Sequence, residues 1–142
     1  MTTIMKKFLL ILLLPFLIFA DDSQDNTLQF LAGKYLLIGQ KPDSKETYSG
    51  TISFSFDEKK KILNFKRIVN GKNTLGTAKI EKALAGEAEV LRLRFVENKK
   101  EYEGTFLWRS DLDNYGRLSG YIYLKNNSTK SPGLEAYFIQ QE

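Results

Sequence analysis

Eight short runs of alternating apolar and polar residues fill most of the chain after Gly33. An alternation with a period of two is typical of β-strands that bury one face, and the short Gly, Asn, Asp and Lys segments between the runs have the lengths of hairpin connections. No segment shows a helical period at useful length. The pattern predicts an all-β domain with strands at about 34–39, 47–57, 61–69, 73–81, 88–96, 100–109, 117–125 and 133–140.

The second and sixth runs show the alternation most clearly. Short connections between consecutive strands indicate a meander, and a meander of eight strands most simply removes its exposed edges by closing on itself. We therefore predict an eight-stranded antiparallel up-and-down barrel, with a two-sheet sandwich as the alternative. The residues expected to face the interior are Tyr48, Gly50, Ile52, Phe54 and Phe56 in the second strand and Tyr102, Gly104, Phe106 and Trp108 in the sixth.

Small residues recur at positions that the alternation places inside the barrel. One interpretation is that glycines permit the bending and coiling of a small barrel. The other is that they leave room for a ligand, because eight strands enclose a space that side chains can fill or that can hold one small molecule. We favour a mostly filled barrel for that reason, and both interpretations stay open. The small inward residues are Gly50, Gly76, Ala78, Gly104, Gly120 and Ala136.

The first 20 residues have the pattern of a secretory signal peptide. Lys6 and Lys7 precede an apolar run at 8–19, and Ala20 is followed by an acidic, polar segment. The apolar run is shorter than the roughly 20 residues that span a bilayer. We expect cleavage near Ala20 and export to a periplasm or the medium without a transmembrane anchor. Residues 21–32 are then a flexible lead-in with a short helical turn at 28–31, and residues 33–142 form the barrel.

The chain contains no His and no Cys. This composition excludes Ser-His-Asp triads, Cys nucleophiles, His bases, disulfides and the usual zinc or copper ligand sets. Asp and Glu fall in predicted turns or at outward strand positions, so a carboxylate-dependent hydrolase is disfavoured, and Asp111 with Asp113 is a weak calcium signal. We expect neither catalysis, nor a cofactor, nor a metal.

The positions of the basic residues say more about function than their number does. Two of the basic residues, Lys6 and Lys7, belong to the leader, and the others are interspersed with acids, so no nucleic-acid footprint is present. Arg67 has inward parity in the third strand, where an arginine is costly unless it is paired or solvated; the alternative is an early strand end or a bulge that turns it outward. The loops expected at one barrel end are net cationic, and the competing interpretation is that lysines crowd these loops for solubility and to discourage strand pairing. The basic residues there are Lys41, Lys45, Lys72, Lys99, Lys100, Lys125 and Lys130, against Asp43, Glu46, Glu97 and Glu101.

Two short motifs resemble those of the lipocalins. Gly33-Lys34-Tyr35 at the first strand resembles the lipocalin Gly-x-Trp signature, and Asp113-Asn114-Tyr115 resembles the Thr-Asp-Tyr motif between strands six and seven. The chain also looks like small exported bacterial domains. The resemblance implies a barrel whose cationic end is an open mouth for a small ligand.

These observations lead to two hypotheses about function. The first is a non-enzymatic binding barrel for a small apolar or anionic amphiphile, because a cationic rim and an aromatic interior suit such a molecule. The second is a filled barrel that binds another protein, as a hydrolase inhibitor or a surface-interaction module, through outward tyrosines. The alternative for these tyrosines is that they are cross-strand pairs that stabilise the sheet. The ligand-binding candidates are Tyr48, Phe54, Phe65, Arg67, Tyr102 and Phe106, and the partner-binding candidates are Tyr121, Tyr123 and Tyr137.

Overall fold

The chain forms one closed barrel of eight antiparallel strands. The structure is a computed structural model that describes residues 22–111 and 113–140, and the predicted leader lies outside these residues. Each strand pairs with the next, and the last pairs with the first, which confirms the up-and-down barrel and rules out the sandwich. The strands are β1 (Gly33–Gln40), β2 (Thr47–Asp57), β3 (Ile62–Val69), β4 (Lys72–Ala83), β5 (Ala88–Glu97), β6 (Lys100–Trp108), β7 (Gly116–Leu124) and β8 (Gly133–Ile139).

Every observed strand begins and ends within two residues of its predicted bounds. The orientation of β8, however, is the reverse of the prediction. Glu135 and Tyr137 are buried inside the barrel, whereas Leu134 is 47% exposed and Ala136 lies on the outer surface. The predicted inward Ala136 and outward Tyr137 are therefore wrong. Apolar residues occupy both parities of this strand, so the alternation alone did not fix its orientation.

Aromatic rings fill the middle of the barrel. Phe54 packs edge-on against Phe65 at 5.7 Å between ring centroids, and Phe106 stacks on Tyr137 at 4.8 Å. The rings occupy the space beside the inward glycines: a Cβ on Gly76 would lie 2.3 Å from Cζ of Phe65, and one on Gly104 would lie 2.7 Å from Cε2 of Phe106. The glycines therefore make room for neighbouring side chains, which supports the mostly filled barrel.

A helix, α1 (Asp22–Leu31), closes the end of the barrel at which β1 begins. Leu28 and Leu31 are buried beneath it, and the hydroxyl of Tyr35 donates a hydrogen bond to the carbonyl of Leu31 at 2.9 Å. The helix stops before Gly33, whose φ of +148° only glycine adopts readily. This segment differs from the predicted flexible lead-in, because ten residues are helical and two of them join the core.

Arg117 of β7 holds the helix from the barrel side. Its guanidinium lies over the ring of Phe30 at 4.3 Å, and Nη1 donates to the carbonyl of Phe30 at 3.4 Å. No helix among residues 22–111 and 113–140 has the length and apolarity that crossing a bilayer requires.

Candidate ligand site at the open end of the barrel

A pocket of about 560 Å³ opens at the barrel end opposite α1. The connections β1–β2, β3–β4 and β5–β6 surround it, as the alternation of loops between the two ends of an up-and-down barrel requires. Tyr48, Phe95 and Tyr102 form aromatic walls, and Lys72 and Lys100 stand at the rim. The end that the sequence analysis identified as cationic is therefore the end that carries the pocket.

Arg67 lies at the floor of this pocket with 5% of its surface exposed. It lies opposite Ile52 in an unbroken β2–β3 register. The side chain therefore keeps its inward parity, and the early strand end and the bulge, which the sequence left open, are ruled out. The guanidinium lies 5.3 Å from the ring centroid of Tyr48 and 5.4 Å from that of Phe95. Two aromatic faces thus flank the cation, which is a favourable arrangement for a buried arginine.

Glu135 of β8 supplies the counter-charge. One carboxylate oxygen accepts from Nη2 of Arg67 and from the hydroxyl of Tyr48, both at 2.5 Å, and the other accepts from the hydroxyl of Tyr137 at 2.6 Å. The side chain is fully buried in this pair. The prediction that acidic residues occupy only turns and outward positions is wrong for Glu135, because a buried arginine without a counter-ion is far costlier than a buried pair.

The pKa shifts of Tyr48, Tyr137 and Arg67 determine which of these side chains are charged at neutral pH. Burial raises the pKa of the Tyr48 and Tyr137 hydroxyls, and the neighbouring Glu135 raises them further. Burial alone would lower the pKa of Arg67, but the attraction of Glu135 outweighs it and raises that pKa. The tyrosines are therefore neutral hydrogen-bond donors and Arg67 is a permanent cation across the physiological pH range.

Arg67 still has unused hydrogen-bonding capacity. Its Nε is buried and has no hydrogen-bond partner among the described residues. Its Nη1 lies 3.6 Å from Oε1 of Glu97, which is longer than a hydrogen bond. Above it, the Lys72 ammonium donates to the Asn98 amide oxygen, and neither Lys72 nor Lys100 pairs with an acid of the described chain. The pocket therefore presents one buried cation with an unpartnered donor, Arg67, and two exposed lysines at its rim that no acid of the described chain neutralises.

The predicted ligand-binding residues fall into two groups. Tyr48, Arg67 and Tyr102 come together around the pocket. The other three, Phe54, Phe65 and Phe106, belong to the packed core that lies below it. Sequence reasoning did not propose Phe95, Glu97 or Glu135 for the site. The sequence did contain a signal for Phe95, because it shares the inward parity of Leu91 and Leu93 on the fifth strand. The signal for Glu135 was that an inward Arg67 needs a buried acid.

The three predicted partner-binding tyrosines lie in three different environments. Tyr121 is 53% exposed on the outer surface. The hydroxyl of Tyr123 belongs to an outer ion-pair network, within hydrogen-bond distance of Arg92 Nη1 at 2.8 Å and Glu103 Oε1 at 3.2 Å. Tyr137 is buried in the barrel. The three side chains therefore do not form one continuous contact surface.

Comparisons with known proteins do not assign the site. None of the models of known protein families matches the sequence. A search of curated proteins found no similar sequence. Residues 22–111 and 113–140 contain no group of three or more acidic side chains that could hold a metal ion. The closed eight-stranded barrel is consistent with a lipocalin-like fold, and the interpretation of the pocket rests on its geometry.

Proposed function

We propose that the protein is an exported, non-enzymatic binding barrel of the lipocalin type that takes a small amphiphile with an anionic head at its open end. One observation carries the proposal: a buried arginine with unfilled donors lies at the floor of an open, aromatic-walled pocket. A buried donor without a partner costs free energy that a ligand acceptor recovers when it binds. Arg67 is therefore placed to select the head group.

The walls of the pocket suit a short apolar body. Phe95 and Tyr102 stack at 5.2 Å with their planes 10° apart, which presents a flat apolar surface beside Arg67. The volume of about 560 Å³ lies in the usual range for small-molecule sites, about 300–1,000 Å³. Because Phe54, Phe65 and Phe106 fill the barrel below, the apolar part of the ligand is limited to what the pocket itself holds.

The charged residues of the pocket favour a carboxylate or phosphate head. Lys72, Lys100 and Arg67 reach the pocket from β4, β6 and β3. Hydrogen bonds between such cations and an anionic oxygen are roughly twice as strong as neutral ones. The acidic residues that line the pocket are Asp43 and Glu97. Thr74 holds Glu97 by donating to Oε1 at 3.1 Å, and the Asp43 carboxylate accepts from the backbone N–H groups of Lys130 and Ser131.

The buried carboxylate supports binding in preference to acid–base catalysis. Glu135 accepts hydrogen bonds from three side chains, Arg67, Tyr48 and Tyr137. A catalytic base needs a lone pair within hydrogen-bond reach of the proton that it abstracts. Three internal donors leave Glu135 engaged with the protein itself.

Calorimetric titration of the mature chain with octanoate, octanol and octylamine tests the proposal. The three probes share a chain length and differ in head group, so we expect octanoate to bind most tightly and octylamine least. Tyr102→Ala should weaken octanoate and octanol, which both use the aromatic wall, whereas Lys100→Gln should weaken octanoate alone.

A matched control is Lys59→Gln, an exposed lysine on the β2–β3 connection at the closed end of the barrel. This substitution changes the net charge equally and should leave all three titrations unchanged. Equal binding of the three probes would contradict the anionic head group. The absence of binding by any probe would contradict a ligand site at the open end.

A further inference from the structure

Four adjacent strands carry a cluster of exposed apolar side chains on the outer surface of the barrel. The face is formed by Leu36 and Ile38 of β1, Leu134 of β8, Tyr121 of β7 and Leu107 of β6, which are between 47% and 61% exposed. The strand register makes these residues neighbours, since Ile38 lies opposite Ala136, Ala136 opposite Ser119, and Ser119 opposite Leu107. We call these residues the apolar face.

Most of the remaining outer surface is polar, apart from a smaller exposed apolar pair, Leu75 of β4 and Val96 of β5. The outward positions of β2 are mostly serine and threonine. The outer surface of β4 to β6 carries an ion-pair network in which Arg94 contacts Glu81 at 2.5 Å and Glu103 at 3.0 Å. Exposed apolar side chains are common singly on soluble proteins, but a contiguous patch of several hundred square ångströms marks a contact site. The apolar face is therefore a local feature that needs an explanation.

The apolar face is not flat. A groove of about 820 Å³ crosses it, with Ala136, Ser119 and Gly120 among its lining residues. At the β4–β5 end of the groove, Leu84 projects with 75% of its surface exposed. Its φ of +51° is in the left-handed region that non-glycine residues rarely adopt. The same surface thus carries both a groove and a projecting leucine.

We infer that the apolar face is the contact between two copies of this protein. A two-fold axis brings a surface against itself, so the surface must be self-complementary, and an uncharged face with both a groove and a projecting side chain meets that requirement. The five side chains of the apolar face and Leu84, each about half exposed or more, supply much of the roughly 800 Å² per partner that a standard interface buries.

The pairing would leave the ligand site free. The apolar face lies on the side of the barrel, whereas the pocket with Arg67 opens at its end. A second copy also accounts for the face better than a membrane surface does. Membrane-binding surfaces carry many basic side chains beside their apolar residues, whereas the outward positions of β1, β6, β7 and β8 place a single lysine, Lys34, next to the apolar face.

Sedimentation equilibrium of the mature chain tests the inference. We expect a dimer whose dissociation constant rises by about tenfold or more in Ile38→Lys and in Leu107→Glu, since each places a charge in the buried contact. Leu75→Glu is the matched control, because Leu75 of β4 is 73% exposed and lies outside the apolar face. It should leave the dissociation constant unchanged.

A charge-complementation experiment separates pairing from misfolding. The double variants Ile38→Lys/Leu107→Lys and Ile38→Glu/Leu107→Glu should each be monomeric, with wild-type circular dichroism, and an equimolar mixture should form a mixed dimer. A wild-type chain that stays monomeric at every concentration would overturn the inference, even if the face then binds vesicles or a different protein. A dimer that survives both face variants, or that Leu75→Glu dissociates equally, would overturn it as well.

Discussion

The two ends of the barrel each bury an arginine, but they hold it in different ways. At the open end, Arg67 forms an ion pair with Glu135 at 2.5 Å inside the barrel. At the closed end, Arg117 is 9% exposed and forms no ion pair with an acid of the described chain. It lies instead on the ring of Phe30 and donates to a backbone carbonyl of α1.

The comparison shows how the fold separates a binding end from a sealed end. A backbone carbonyl and an aromatic ring can stabilise the guanidinium of Arg117, because part of its charge still reaches solvent. An arginine at the floor of a pocket is more deeply buried and requires a full counter-charge. Nε is buried without a hydrogen-bond partner in both arginines, so the difference between the two ends lies in the counter-charge and in the open pocket above Arg67.

The largest expected effect comes from removing the counter-charge at the open end. Glu135→Gln removes the buried partner of Arg67 and leaves only the more distant Glu97, at 3.6 Å from Nη1, as an acid beside it. Breaking one partner of a buried pair costs about 3–5 kcal/mol. Urea denaturation at neutral pH should show this loss in the free energy of unfolding. The double variant Arg67→Met/Glu135→Leu should recover the part of this loss that comes from the uncompensated charge, because replacing a buried ion pair by apolar side chains of similar size is often neutral. It should not recover the cost of leaving the Tyr48 and Tyr137 hydroxyls without their acceptor.

The outcome of that cycle distinguishes the two ends. If Glu135→Gln lowered the free energy of unfolding by less than about 1 kcal/mol, Arg67 would be satisfied as Arg117 is, by rings and carbonyls, and the proposed difference between the ends would disappear.

At the closed end, the expected loss comes from packing. Leu31→Ala removes a fully buried side chain beneath α1, and such substitutions cost about 2–4 kcal/mol. Leu75→Ala, at a leucine that is 73% exposed, is the control and should change the free energy of unfolding by less than about 0.5 kcal/mol. Octanoate binding should be unchanged in Leu31→Ala at temperatures where the variant is folded. A loss of binding would show that the two ends are coupled.

The fold was predictable from local pattern, and part of the site was not. A period of two with one buried face located all eight strands, and the inward parity of Arg67 followed from Leu63 and Phe65 on the same strand. The strand of Glu135 has apolar residues on both parities, so a charged residue was assigned to solvent by default. Glu135 is placed inside the barrel only when Arg67 is considered, because a buried arginine needs a counter-ion. The two residues are on strands far apart in sequence, so the local pattern does not show this pairing.

Alkaline pH should weaken the protein through its buried tyrosines. The pKa values of Tyr48 and Tyr137 at the open end and of Tyr35 at the closed end are raised above 10.0 by burial. A raised folded-state pKa contributes stability that is present below pH 10 and is lost above it, because the unfolded chain then releases protons that the folded chain retains.

Unfolding titrations at increasing pH would measure this loss as about 1.4 kcal/mol per tyrosine for one pH unit above 10. Tyr137→Phe and Tyr35→Phe should each reduce the slope. Glu135 raises the pKa of Tyr137 further, whereas Arg117 lowers that of Tyr35. Tyr137→Phe should therefore reduce the loss of unfolding free energy per pH unit over a wider pH range than Tyr35→Phe does. Equal ranges would indicate that burial alone governs both ends.

The smallest expected effect concerns Glu97, the acid that faces Arg67 from the rim. Its contact with Nη1 at 3.6 Å is too long for a hydrogen bond, and its side chain is 22% exposed, so it contributes little to stability. For an anionic ligand it is a repulsive neighbour. Glu97→Gln should therefore strengthen octanoate binding about two- to fivefold and leave octanol binding unchanged, and added salt should reduce the gain. Glu58→Gln, at the closed end, changes the net charge equally without this gain. If Glu97→Gln weakened octanoate as Tyr102→Ala does, Glu97 would contact the ligand directly, and the head group at Arg67 would not be an anion.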